Sequence, residues 1–430
     1  MDNSIEEKSK SPSLDSPTNK EIFIFKNKSL YGKMTRGQFF RHIGNNEYKI
    51  NNGLEDEIID ILPEGIVLQI MLYAFNAKEP IELLPYLKNT IGDFDFSTDA
   101  NQKYFDKPTI SNIAIESKFP NILPCKIAIT PSHLEPNIYE PNGIQNLSLS
   151  GYQHKLQVSI VDNIIKAEYG DFILKPNNKR FLNLPSNEHL NVSFMKEFGF
   201  EVPFNAIAYE KYDKEYHYLI KRFDIDENGN KLPQISLNAL MRDSDKYAGT
   251  IEQISTFLKD KLDSAQKMQL LKFIYANALL YNNDLHKKNI GFVFKDNKLQ
   301  LSPVYDILNI YAIKPVNKMD FLGKEQCHLT IKGHNNGIRI SYFKQSSQNL
   351  GVDFKEVRKN LKEVQDIYIE KYPQYVEKIA NIPHINDIER FSEKLLESHQ
   401  KCLKIAKRES NIALQGISKP KSNKNNEIEM

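Results

Sequence analysis

Residues Ser264–Tyr281 place Leu270, Leu271, Phe273, Ile274, Ala278, Leu279 and Leu280 on nearly every side of an α-helix. Such a helix cannot lie on a surface. It has to be a central one, wrapped by protein on all sides, and 430 residues are enough to wrap it, in one large two-lobed domain or two to three smaller ones. The chain then turns polar at Tyr281-Asn282-Asn283-Asp284-Leu285-His286-Lys287-Lys288-Asn289. The apolar run Ile290–Phe294, a polar turn at Asp296-Asn297 and a second run Leu299–Val304 predict a β-hairpin that delivers Tyr305-Asp306 at its far end. A rigid helix thus presents a loop with Asp284 and Asn289 five apart, and a hairpin brings back a third oxygen-bearing side chain.

Asn- and Asp-rich segments between apolar runs are usually turns. Order separates this one from a turn: a strand ending in lysine lies upstream, the loop sits mid-chain, and the hairpin carries a second Asp downstream. Phosphoryl transfer to a hydroxyl needs that set, because one carboxylate orients or deprotonates the acceptor while an Asn and a second carboxylate hold magnesium on the nucleotide phosphates. Oxygen ligands suit this hard ion, which takes only one or two protein carboxylates.

Asn283–Asn289 followed by Leu301-Ser302-Pro303-Val304-Tyr305-Asp306 resembles the catalytic and metal segments of the HipA-like serine/threonine kinases, the toxin halves of bacterial toxin–antitoxin pairs. Three further blocks fit that family in its order: Ser148–Leu156, Phe172-Ile173-Leu174-Lys175-Pro176 and Leu219-Ile220-Lys221-Arg222-Phe223-Asp224. The resemblance spans residues 55 to 340 and is strong from 145 to 310. It implies ATP and Mg2+ as cofactors, Asp284 as catalytic base, and Asn289 and Asp306 as metal ligands. It also implies nucleotide contacts from Ser150, Gly151, Tyr152, Gln153, His154, Lys155, Lys175, Lys221, Arg222, Phe223, His286, Lys287, Lys288 and Tyr305. Lys221 departs from the acidic residue expected before the Arg, so its contact falls to the backbone. Ser148 and Ser150 resemble the family's autophosphorylated serine, where two added negative charges beside the triphosphate site would repel nucleotide. Glu188, with Glu197 as the alternative, is the candidate partner of the lysine on the following helix, unless it only complements that helix's N-terminus.

The expected fold class is α+β: a two-lobed protein-kinase-like fold with a small N-terminal α/β subdomain and a mainly helical C-terminal lobe. Residues 1–20 are polar, aperiodic and rich in Ser, Pro and Lys, the composition of a disordered tail. Residues 21–145 form the N-terminal subdomain and a proline-rich connector, with a strand at Glu21–Phe25 and helices within Leu54–Phe75 and Pro80–Ile91. Residues 146–224 form the nucleotide-binding lobe, with strands at Val158–Val161, Asp171–Lys175 and Tyr216–Ile220 and a helix capped at Ser186 or Asn187. Residues 225–417 form the helical catalytic lobe, with helices at Leu237–Ser244, Ile251–Leu262 and Ser264–Tyr281 and two or three more between 353 and 408. Residues 418–430 are a flexible tail.

A net charge of +2 lacks the basic excess that a nucleic-acid binder normally shows. No apolar run reaches the roughly 18 residues of a membrane span, and the polar N-terminus has no signal-peptide core. Cys125, Cys327 and Cys402 are far apart and odd in number, which gives neither a disulfide framework nor a metal spacing and fits a reducing bacterial cytoplasm. The family implies a translation component such as an aminoacyl-tRNA synthetase as target, and a small helix-turn-helix antitoxin as partner. Three alternatives stay open: a pseudokinase scaffold, an effector kinase delivered to a host cell, and a small-molecule or lipid kinase.

Overall fold

The computed structural model describes residues 21–129 and 154–417, apart from 36, 37, 46, 52–57, 59, 88, 117, 212, 213, 244, 297 and 318–321. The strands are β1 (Ile22–Lys26), β2 (Ser29–Thr35), β3 (Gln38–Gly44), β4 (Glu47–Asn51), β5 (Phe94–Ser97), β6 (Ile122–Leu123), β7 (Lys126–Ala128), β8 (Leu156–Val161), β9 (Ile164–Ala167), β10 (Phe172–Lys175), β11 (Phe181–Leu182), β12 (Asn205–Glu210), β13 (Glu215–Lys221), β14 (Gln234–Ser236), β15 (Gly291–Lys295), β16 (Lys298–Leu301) and β17 (Lys314–Pro315). The α-helices are α1 (Gly65–Ala74), α2 (Leu184–Phe194), α3 (Leu237–Met241), α4 (Ile251–Leu258), α5 (Ser264–Leu279), α6 (Lys344–Leu350), α7 (Phe354–Ala380) and α8 (Ile388–Ile417). The class is mixed α+β.

The chain divides into two compact units, one of Met1–Asn112, Ala128–Ile173 and Asp224–Leu232, the other of Ile113–Ile127, Leu174–Phe223 and Pro233–Met430. In the first, an antiparallel sheet runs in the order β4-β3-β2-β1-β5. Only β1 of these strands is legible in the sequence. Gly32 of β2 lets β3 lie close, since a Cβ there would lie 2.6 Å from the Phe40 carbonyl oxygen. The expected helix in Leu54–Phe75 is confined, among the described residues, to α1 and its approach, and Pro80–Ile91 yields a 3-10 helix at Pro80–Tyr86. The hairpin β8–β9 turns on Asp162-Asn163, both left-handed (φ 52° and 60°), as the twist of a two-residue hairpin demands. Ser111 bridges this region: its hydroxyl donates to Asp171 at 2.6 Å and accepts from the Ile160 N–H at 2.8 Å.

In the second unit, strands run in the order β6-β12-β13-β10, with β12 and β13 antiparallel from Asn205↔Ile220 to Glu210↔Glu215. The helix after β10 starts at Leu184, capped by left-handed Asn183, earlier than the expected cap at Ser186 or Asn187. Pro185 accounts for the earlier start, because its fixed φ and missing N–H suit a first helical turn. All but one residue of α2 is buried, so its polar side chains must find partners inside. Helix α5 is central as expected, with Leu270, Leu271, Phe273, Ile274, Ala276 and Ala278 buried. The long helix α7 packs beside it, α8 packs on α7, and Gln365 of α7 donates to the Tyr275 hydroxyl of α5 at 2.8 Å. Cys125, Cys327 and Cys402 are buried and free. Among the described residues, no helix is long and apolar enough to cross a membrane.

Candidate active site

The loop that carries Asp284 begins at a left-handed residue, and a second one, Asp306, closes the hairpin that follows it. Helix α5 ends at Leu280, after which the Tyr281 N–H donates to Ala278 O at 3.2 Å and the Asn282 N–H to Asn277 O at 3.0 Å. This is the paired closure that usually requires glycine at the position Tyr281 occupies, and Tyr281 adopts it with φ 57°. A bulky residue there is strained by about 1 kcal/mol or more. Burial of the Tyr281 ring, 5.5 Å from Tyr311, holds it in place. Buried Asn282 then ties the loop to the hairpin, donating to Asn277 Oδ1 at 2.7 Å and to Asp306 O at 3.3 Å. Asp306 is itself left-handed (φ 52°), a region that Asp tolerates better than most residues.

Lys175, at the end of β10, is buried, and its ammonium is shared between two carboxylates. Glu188 Oε1 of α2 accepts at 2.6 Å, and Asp306 Oδ1 accepts on the other side. Burial by itself would lower the Lys175 pKa, but Asp306 and Glu188 outweigh it and hold the ammonium above the ordinary lysine value. The Tyr218 ring of β13 backs the same ammonium at 5.7 Å. Glu188 is thus the lysine's partner, and Glu197 is not: Glu197 pairs with Lys371 at 2.6 Å and accepts from Tyr375 at 2.8 Å.

Asp284 is half-buried, and its carboxyl is pushed above the usual aspartate value by burial, with nearby Asp306 adding to the shift and the Tyr247 hydroxyl opposing it. Asn289 donates to Asp284 O at 3.3 Å, which folds the loop back on itself so that Asp284 and Asn289 share one turn. His286 is buried, its ring edge-on to Tyr247 at 5.0 Å. Lys287 is buried with its ammonium on Asp243, so this side chain anchors the loop. Lys288 accepts through its carbonyl from the Tyr305 hydroxyl at 3.1 Å. The Tyr305 and Phe223 rings lie 5.8 Å apart at 29°, Arg222 is buried, and Lys221 ends β13.

The structure therefore gathers Lys175, Glu188, Asp306, Asp284, Asn289 and His286 within one unit. His154 and Lys155 lead into β8 in the other unit. Ser148, Ser150, Gly151, Tyr152 and Gln153 lie outside the described residues.

Residues 147–371 match the HipA-like C-terminal domain family. The chain belongs to the HipA-like family. A curated relative from Haemophilus influenzae, named "Putative kinase", is 30% identical over 270 residues, which cover 57% of this chain and 76% of that one. In fold, the chain is similar to HipA of Shewanella oneidensis MR-1, solved with HipB and operator DNA, at a TM-score of 0.62 and 16% identity over 90% of this chain and 98% of that one. The α+β fold is accordingly of the HipA-like, kinase-like class.

Within this HipA-like kinase framework the donor set suits magnesium. Asp306 offers one carboxylate and Asn289 an amide oxygen, and no three His, Cys, Asp or Glu residues cluster among the described residues as a zinc site would require. Lys175 gives a cation in reach of one of these ligands, as a triphosphate site requires. Three participants had no signal in the sequence: Tyr247 on the loop after α3, His328 beside it, and Tyr218 under Lys175. Tyr247 sits in a short aperiodic segment, and its contacts with Asp284, His286 and His328 are all long-range, so no spacing could have pointed to it.

Proposed function

We propose that the chain is a magnesium- and ATP-dependent serine/threonine protein kinase of the HipA-like toxin kind. The observation that carries this reading is the Lys175 ammonium, buried and held jointly by Glu188 and Asp306. A scaffold has no need to bury a lysine between two carboxylates, since a well-packed apolar trio is usually as stable or more so. A nucleotide site does, because the lysine must be held ready for phosphate oxygens.

In this reading Asp306 and Asn289 hold Mg2+, which would neutralise charge building on the transferred phosphoryl group. Lys175 contacts phosphate, with Glu188 fixing its direction. Phe223 and Tyr305 flank the base, with Lys221 and Arg222 on the chain that lines it, while His286 and Lys288 stand close to the nucleotide. Asp284 positions the acceptor hydroxyl and takes its proton. Ser150–Lys155 cradle the phosphates, and autophosphorylation falls on Ser148 or Ser150, where it would switch the enzyme off by charge repulsion.

The target is a protein of the translation apparatus, such as an aminoacyl-tRNA synthetase, in the bacterial cytoplasm. A helix-turn-helix antitoxin is the proposed partner, supported by the fold shared with the Shewanella HipA that was solved with HipB. Incubation with γ-labelled ATP, Mg2+ and a cell lysate, beside an Asp284→Ala control, tests the reading. Label in a discrete protein band that depends on Asp284 is the expected result. Asp284-dependent label in lipid or small molecules would assign a different acceptor, and no Asp284-dependent label would reject the kinase.

A further inference from the structure

The Tyr247 hydroxyl donates to Asp284 Oδ1 at 3.1 Å. That bond matters because the acceptor hydroxyl makes the same one during phosphoryl transfer. The tyrosine is held where it is from three directions. Its ring lies against His286 (5.0 Å, 88°) and His328 (4.7 Å, 60°). Its loop is pinned to the catalytic segment by the Lys287 N–H donating to Lys246 O at 3.0 Å and by the Lys287 ammonium on Asp243. Its own N–H donates to Asp245 Oδ1 at 2.9 Å. Yet the side chain is not buried: Tyr247 is 37% exposed. A core tyrosine would be enclosed. This one is fixed enough to find Asp284 and exposed enough to leave it.

Resting on the kinase reading of the same site, we propose that Tyr247 is a positioning residue that keeps the acceptor's place on Asp284. With no substrate bound, its phenol fills the position from which a water could attack ATP. A serine or threonine segment takes over the bond and displaces the ring from between His286 and His328. The device suppresses idle ATP hydrolysis and makes entry of an acceptor conditional on enough contact to move an aromatic side chain.

Tyr247→Phe removes the hydroxyl and keeps the ring. A hydrogen bond to a charged group corresponds to roughly a tenfold change in an equilibrium. Phosphate release from ATP without any acceptor should therefore rise by roughly three- to tenfold in Tyr247→Phe. The lysate protein concentration giving half-maximal labelling should fall by a similar factor, with the KM for ATP unchanged. Tyr247→Leu, which removes ring and hydroxyl together, should show the same two changes. Unchanged or slower phosphate release and an unchanged half-saturation in both variants would overturn the proposal. Were Asp284→Ala as active as the wild type, the kinase reading itself would fall; were Asp284→Ala inactive and the Tyr247 variants indistinguishable from wild type, only the place-keeping role would.

Discussion

Asn187 and Asn309 exchange two hydrogen bonds: Asn187 Nδ2 donates to Asn309 O at 2.9 Å, and the Asn309 N–H donates to Asn187 Oδ1 at 2.8 Å. Asn187 directly precedes Glu188, and Asn309 follows Asp306 by three residues. The pair therefore sets the register between the two carboxylates that share Lys175. Both residues are fully buried, so nothing replaces a lost bond. Asn187→Ala leaves the Asn309 N–H and carbonyl without this partner, and should lower stability by about 2–4 kcal/mol in urea denaturation while reducing phosphotransfer.

Lys175→Met should be far more damaging than Glu188→Gln. The first leaves Glu188 and Asp306 facing each other without their shared cation, at a cost of about 3–5 kcal/mol. The second keeps a hydrogen-bonding neighbour for Lys175 and mainly weakens the direction of its ammonium, so the KM for ATP should rise more than the melting temperature falls. The pH sign is fixed as well. Because the folded-state Lys175 pKa is raised, its stabilisation is complete below the ordinary lysine value and is lost only as pH rises through the higher folded one. Melting temperatures measured from pH 7 to 10 should show no loss from this group.

His189 gives the opposite case. Buried in α2, it accepts from the Asn121 N–H on Nε2 at 2.9 Å and meets Asn205 Oδ1 through Nδ1 at 2.7 Å, which fixes the neutral Nδ1–H tautomer. Burial lowers its pKa to about 4 despite the Asn205 bond. The unfolded chain protonates this imidazole near pH 6.5, so stability should fall as pH drops from about 6.5 to 4, by up to about 3 kcal/mol. His189→Gln should flatten that part of the pH profile in chemical denaturation. An unchanged slope would contradict the buried neutral assignment.

These elements show what the sequence made readable. Helix α5, the Asp284–Asn289 turn and the β15–β16 hairpin were legible because each is a local pattern: an all-round apolar helix, a polar loop and two apolar runs about a polar turn. The Glu188 partnership was half-legible, since helix position narrowed the choice to two glutamates and only packing separates them. The N-terminal sheet was mostly missed. Strands β2–β4 carry charges such as Lys33, Arg41 and Lys49, which blur alternation. Strand β5 joins β1 from a proline-rich stretch some seventy residues on, a pairing with no local signature. Tyr247 and the Asn187–Asn309 exchange were invisible for the same reason: polar contacts between distant segments obey no period.

Gly291 begins β15 against the Tyr305 ring. A Cβ there would lie 2.6 Å from Ser302 Oγ and 2.8 Å from the Tyr305 hydroxyl, which is itself bonded to the Lys288 carbonyl. Gly291→Ala should push the Tyr305 ring out of register with Phe223. The expected result is a several-fold higher KM for ATP with a nearly unchanged fold, checked by steady-state kinetics beside circular dichroism.

In the proposed kinase, Asp306 and Asn289 converge on one divalent ion while Lys175 faces the phosphates. Crystals grown with Mn2+ and a non-hydrolysable ATP analogue test it most directly through the anomalous signal of the metal. The expected result is a peak about 2.1 Å from an Asp306 carboxylate oxygen and from Asn289 Oδ1, with the Lys175 ammonium on a phosphate oxygen. A metal held elsewhere, or a nucleotide bound with Asp306 and Asn289 both unligated, would contradict it.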